Sequence, residues 1–171
     1  MALKTKELVP FSLLGAIMFA SKIAFEALPN IHPLAMLVIS YTVVFRKKAL
    51  IPIYLFVFIT GAIYGFGVWW VPYLYLWLFL WGATMLLPKK MPDKIAVPVY
   101  MLFAGLHGLL YGTLYAPFQA LAFGLDLNGM VSWIMMGLPF DLIHGVSNFI
   151  VGLFTLPVIK ALRLSTRSIS V

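Results

Sequence analysis

The amino-acid sequence predicts an all-α integral membrane protein, a bundle of six transmembrane helices with N- and C-termini cytoplasmic. Three observations carry that prediction. The 171 residues are 63% hydrophobic and 10% charged, with a mean hydropathy of +1.03. A soluble domain of this size needs far more polar surface to cover its core. The apolar residues also come in continuous blocks that do not alternate, which suits spanning helices and not a barrel. Finally, the cations are segregated to one set of connecting segments.

Six spans are expected, over residues 8–28, 33–45, 49–67, 69–87, 95–123 and 131–160, since roughly 20 residues cross about 30 Å of hydrocarbon. The first is too long for a signal sequence, carries Lys22 and Glu26, and lacks a small-x-small site before Pro29, so it is expected to be retained. Its small residues Ser12, Ala16, Ala20 and Ala24 form a smooth line suited to helix contact, which spacing alone assigns to the protein's own interior. Lys22 and Glu26, four apart, are placed to pair with each other near the outer end. The second span is short. The third and fourth flank FGVWWVPY, a loop that is buried or re-entrant. The fifth and sixth are long enough to tilt, to emerge from the bilayer, or to kink at Pro98, Pro117 or Pro139.

Lys4, Lys6, Arg46, Lys47, Lys48, Lys89, Lys90, Lys94, Lys160, Arg163 and Arg167 all fall on one side of these spans. The opposite segments ALPNIH, FGVWWVPY and FGLDLNGM hold no Lys or Arg. This asymmetry places both termini in the cytoplasm. The formal charge of +7 therefore sets topology and touches anionic lipid. Nucleic acid is excluded as a partner, because no basic–aromatic platform exists. With no cysteine, disulfides, thiolate metal sites and cysteine nucleophiles are excluded as well. No internal repeat divides the chain, and residues 1–171 read as one membrane domain.

Polar groups then stand out against the apolar background. In HGLLYGTLYAPFQ, residues 107–119, His107, Tyr111, Tyr115 and Gln119 recur every four positions and share one helix face. In WIMMGLPFDLIHGVSN the sixth span offers Trp133, Gly137, Asp141, His144 and Asn148 on one face. The two helices are antiparallel. At about 1.5 Å per residue, Asp141 is then level with Tyr111 to Tyr115, and His144 with Tyr111 and His107. Such side chains are costly in lipid and must face each other or a wet cavity. Two readings stand: a hydrogen-bonded cluster that fixes packing, or a ligand or proton site. Gly108, Gly112 and Ala116 make a parallel small line, read as plain packing.

The outer segments supply Asn30, His32, Trp69, Trp70, Tyr73, Asp126, Asn128 and Trp133. Interfacial aromatic belts account for Trp and Tyr at this depth. A cluster of two Trp and one Tyr also makes a stacking wall for a planar ligand. There is no GxxxxGK[ST] phosphate loop, no HExxH and no GxSxG elbow, and two His with one Asp are a thin metal set. No catalytic residue, metal or cofactor is therefore expected.

With six spans, cytoplasmic termini, AIMFA in the first helix and GLPFDLIHGVSNF at residues 137–149, the chain resembles the S components of energy-coupling-factor (ECF) transporters. That family's Ala-x-x-x-Ala motif is matched by Ala16 and Ala20 and extended by Ala24. The resemblance implies a multi-pass protein of the cell membrane that is not an enzyme. It would capture a vitamin or related micronutrient at the extracellular side. It would then dock through its first helix onto a transmembrane scaffold driven by two cytoplasmic ATPases, toppling to deliver its cargo. In that light Ala16, Ala20 and Ala24 become a partner interface. The expected substrate site takes Trp69, Trp70, Tyr73 and Trp133 for stacking, and Asn30, His32, Tyr115, Gln119, Asp126 and Asn128 for polar recognition, with Asp141 deeper. The aromatic content favours a ring-bearing substrate, and no pattern fixes which one. Rival readings are a stand-alone proton-coupled carrier using Asp141, His144 and His107, an intramembrane metal enzyme, and a lipid-interacting structural protein.

Overall fold

Every described element is helical. The computed structural model describes residues 5–166. Among the cations counted above, Lys4, Arg167 and the Lys6 side chain lie outside the described residues. The order is α1 (Thr5–Ala24), α2 (Leu34–Phe45), α3 (Leu50–Tyr64), α4 (Tyr73–Leu86), α5 (Asp93–Leu109), α6 (Tyr111–Phe123), α7 (Leu127–Val151) and α8 (Thr155–Thr166). Short 3-10 turns at Arg46–Ala49, Val68–Trp70 and Gly152–Phe154 join some of them.

Three helical stretches are long and apolar enough to cross a membrane: Glu7–Ala24, Asp93–Phe123 and Leu127–Thr166. The last two are α5 running on into α6, and α7 into α8. By contrast α2, α3 and α4 have 12, 15 and 14 residues, about 18–23 Å each at 1.5 Å per residue. The FGVWWVPY segment is a 3-10 turn and not a further turn of either neighbour, which is why α3 and α4 are shorter than their apolar runs.

Helix α2 sits at the centre. Eleven of its twelve residues are buried, Leu34 to Val43 and Phe45, as expected of a helix apolar on all sides. Helices α1, α4, α5 and α8 pack around it.

The closest packing joins α5–α6 to α7 in antiparallel register. A Cβ at Gly105 would lie 3.0 Å from Phe149 Cβ, and one at Gly108 would lie 2.6 Å from the His144 carbonyl oxygen. At Gly112 it would meet Asp141 Oδ2 at 2.4 Å, and at Gly152 the Cα of Met101 at 2.7 Å. The small line on residues 108–116 is thus a packing seam, as its spacing predicts. The α5–α6 stretch is interrupted at Leu110 (φ −92°, ψ 0°), between two seam glycines, and not at Pro98 or Pro117, while α7 runs on through Pro139 to the 3-10 turn at Gly152–Phe154. The Leu110 N–H still donates to the Leu106 carbonyl at 2.9 Å, and that of Leu114 to the Leu110 carbonyl at 2.8 Å.

Two local expectations are corrected. Helix α1 turns Phe11, Gly15 and Met18 inward, Gly15 against Leu55 of α3, while Ser12, Ala16, Ala20 and Ala24 are exposed. The internal contact that spacing favours is made by the opposite face, because Gly15 and its neighbours already supply a close-packed seam. Lys22 and Glu26 do not pair with each other. Tyr64 stands between them: Lys22 Nζ lies 4.1 Å from the centre of its ring, and its hydroxyl donates to Glu26 Oε1 at 3.0 Å.

Basic residues converge at one end of the bundle. Lys48 bonds Glu7 of α1, and the Arg46 guanidinium donates to the Leu87 carbonyl at 3.4 Å. Lys160 pairs with Asp93, and Arg163 donates to the Lys89 carbonyl at 3.0 Å.

The seam makes a direct prediction. Gly108→Leu should destabilise the protein in detergent by about 1–3 kcal/mol or more, since a backbone neighbour cannot move aside. Gly137→Ala, where nothing lies within 4 Å of an added Cβ, should leave the thermal midpoint unchanged or slightly raised.

Candidate functional site

The seam brings together polar and aromatic groups from five parts of the chain. On α4, Tyr73 and Trp77 stand one turn apart, with Trp69 in the 3-10 turn before them, so all three share one side. Facing them are His107 of α5 and Tyr111 and Tyr115 of α6. Helix α7 adds Trp133, Asp141, His144 and Asn148, and the α1–α2 connection adds His32.

Their rings form a continuous network. Trp69 meets Tyr73 edge-on at 5.7 Å, and Tyr73 meets Trp77 at 5.9 Å. Trp77 lies 5.5 Å from His107, which meets Tyr111 at 5.9 Å. Tyr111 touches His144 at 5.0 Å, and His144 touches His32 at 4.9 Å. One turn further along α6 Tyr115 stacks on Trp133 at 5.8 Å with 20° between the planes, and its hydroxyl donates to the Trp69 carbonyl at 3.1 Å.

The unusual feature is how many polar atoms inside this network are unpaired. Trp77, His107, His144 and Asn148 are 2%, 6%, 3% and 1% exposed. Yet Trp77 Nε1, His107 Nδ1, His144 Nε2, His32 Nδ1 and both amide atoms of Asn148 have no hydrogen-bond partner among the described residues. Each such atom, if left without a partner or a water, costs about 1–3 kcal/mol. One role follows from geometry. The Leu76 carbonyl, 3.2 Å from His107 Nε2, can only accept, so Nε2 carries the proton and Nδ1 is left as a bare acceptor. Trp77 Nε1 is a donor, and Asn148 offers one of each kind. The network thus places hydrogen-bond donors and acceptors beside several aromatic faces.

Asp141 has a different task. Both its oxygens lie 3.1 Å from the Gly112 amide nitrogen, so the carboxylate clamps α6 to α7. This matches the depth expected from counting residues, and the clamp favours packing over recognition for this side chain.

The other predicted residues divide. Trp69, Tyr73, Tyr115 and Trp133 come together as a stacking group, and His32 reaches in to join His144. Trp70 turns the other way: its Nε1 donates to the Val57 carbonyl at 2.9 Å, and its ring packs on Phe58 and Phe66. Asn30, with φ of 62°, contributes its carbonyl to Ser147 Oγ at 2.8 Å and so anchors the α1–α2 connection. Asp126 caps α7, accepting from the Gly129 amide at 2.7 Å, and is exposed. Asn128 is exposed, and Gln119 is half-buried one turn beyond Tyr115. The site is thus deeper than the loop-centred one expected from sequence. Trp77 is absent from the sequence expectation, although the four-residue steps from Trp69 to Tyr73 to Trp77 are the signal that would have found it.

A cavity of about 300 Å³ borders this network, walled by Phe79, Leu80, Phe103, Leu106 and Leu114 with His107 among them. Among the described residues, no group of three or more His, Asp or Glu side chains is disposed to hold a metal ion.

No protein-family model, no curated protein and no solved structure matches the chain.

His32 provides a pH signature. Burial pushes its imidazole from 6.5 down to about 4, with the charge of Lys22 acting in the same direction. The unfolded chain thus takes up a proton near pH 6.5 and the folded one only near pH 4. The stability contributed by neutral His32 is present above pH 6.5 and is lost as pH falls towards 4, with about 3 kcal/mol as the upper bound. His32→Gln should flatten this decline, and the difference between the two unfolding curves measured from pH 7 to pH 4 isolates the His32 share.

Proposed function

We propose that this chain is a high-affinity substrate-binding membrane subunit of the ECF type, which captures a small ring-bearing organic micronutrient from outside the cell. The single observation that carries this reading is the set of unpaired buried atoms of Trp77, His107 and His144 within a network of contacting rings, with those of Asn148 one turn further along α7. In this reading α1, α2, α3, α4, α5–α6 and α7–α8 are the six spans, and the basic end with both termini faces the cytoplasm, in keeping with the positive-inside asymmetry. The site then opens towards the cation-free side. It contains no Lys or Arg, and its one carboxylate is held by Gly112, so it suits an uncharged planar ring bearing both donors and acceptors. In this reading, entry of the ring separates the Tyr115–Trp133 stack.

The outward-facing Ala16, Ala20 and Ala24 support docking through α1 onto a scaffold protein, since small residues let a partner helix approach closely. With no phosphate loop in the sequence, the energy for release would come from partner ATPases. The carrier reading is less well supported. Of its three relay groups, Asp141 is committed to the Gly112 amide.

Mass spectrometry of small molecules retained by the purified protein should identify a heteroaromatic compound. Titration with that compound should show Asn148→Ala and Trp133→Ala binding at least about fivefold more weakly, as expected for about 1–3 kcal/mol per lost partner. Trp70→Ala should bind normally. Equal losses in all three variants, or none in the first two, would remove the site from this position. On the docking face, Ala20→Trp should abolish co-purification with the scaffold and ATP-driven uptake while leaving ligand affinity intact.

A further inference from the structure

The basic end of the bundle contains a cavity of about 500 Å³ between the α2–α3 turn and the end of α4. Its polar wall is made of Arg46, Lys47, Lys48 and Lys89, and its apolar wall of Val44, Phe45 and Met85. Among the described residues no acidic side chain lines it, and Lys48 bonds Glu7 of α1. The wall is also built rather than incidental. Arg46 adopts a φ of 55°, a conformation that L residues other than Gly, Asn and Asp seldom take. It is held there because Trp81 Nε1 donates to its carbonyl at 3.2 Å and its guanidinium donates to the Leu87 carbonyl at 3.4 Å. This strained turn directs successive cations, Arg46 to Lys48, around one hollow, while Lys47 and Lys89 remain exposed at its rim.

We propose that this cavity is a binding site for the headgroup of an anionic phospholipid, with the phosphate among the cations and the upper acyl chain along Val44, Phe45 and Met85. The amphiphilic lining is what distinguishes a lipid from a free anion as its occupant. A bare phosphate would gain nothing from the apolar wall, whereas a lipid uses both walls. The site needs only that this end of the bundle meet a membrane surface, and it holds whether or not the aromatic site binds a micronutrient.

The test uses the full chain in mixed micelles carrying phosphatidylglycerol or phosphatidylcholine, with bound lipid counted by native mass spectrometry. The wild type should retain phosphatidylglycerol in preference to phosphatidylcholine. The Lys47→Ala/Lys89→Ala double variant should retain it about 25-fold less strongly, about fivefold for each lysine removed. Lys90→Ala/Lys94→Ala removes the same charge outside the cavity and should behave as wild type. Equal loss in both double variants would reduce the effect to general surface attraction and overturn the site, as would no loss in either. Inorganic phosphate should not displace the lipid; full displacement would make this a small-anion pocket and overturn the lipid assignment. Retention unaffected by lipid charge would leave an acidic partner protein as the occupant and equally overturn the proposal.

Discussion

The structure depends on how closely α5–α6 can approach α7. Gly105, Gly108 and Gly112 on one side meet Phe149, His144 and Asp141 on the other, and at Gly108 and Gly112 even a methyl group would collide with backbone or carboxylate atoms. Between helices in an apolar setting, hydrophobic exclusion adds little, so dispersion contacts and hydrogen bonds at short range must hold the pair. The Asp141–Gly112 contact is one consequence of this proximity: it ties the carboxylate of one helix to the other's backbone where Leu110 loosens the helix. A seam of glycines also fixes register, because sliding by one residue would drive side chains into those same positions.

From that register the site follows. Once Gly108 is against His144 and Gly112 against Asp141, His107, Tyr111 and Asn148 are drawn to the inner side of the seam, where α4 presents Tyr73 and Trp77. The protein thereby buries several polar atoms without pairing them, against the usual satisfaction of buried polar groups. Such a departure from internal consistency is characteristic of functional positions. The neighbouring Asp141 shows the contrast, since its oxygens are engaged and it acts as structure.

The molecule is polarised between its two ends. One collects the cations and ties the helix ends by Lys48–Glu7, Lys160–Asp93 and the capping of α4 by Arg46. The other is free of Lys and Arg in its connections and rich in Trp and Tyr. Helix α1 links them, burying Phe11, Gly15 and Met18 while leaving its alanines outside. The aromatic network, the outward alanines of α1 and the basic hollow thereby occupy different parts of a small chain.

Composition and spacing alone determined that the chain is all-helical with apolar stretches fit to cross a membrane, that His107, Tyr111 and Tyr115 share a face, and that Asp141 and His144 lie at their level. Those properties are local or depend on rise per residue, so they can be read from order in the chain. It took the packing of the helices to set Trp77 against His107 and to turn Trp70 toward α3. Adjacent residues in a 3-10 turn point about 120° apart, and Trp70 is the one that α3 takes, through the Val57 carbonyl. Likewise the outward face of α1, the insertion of Tyr64 between Lys22 and Glu26, and the use of Asp126 as a cap depend on distant partners. Spacing identifies which side chains travel together; which of two faces is covered is settled by the neighbour that packs there first and most closely.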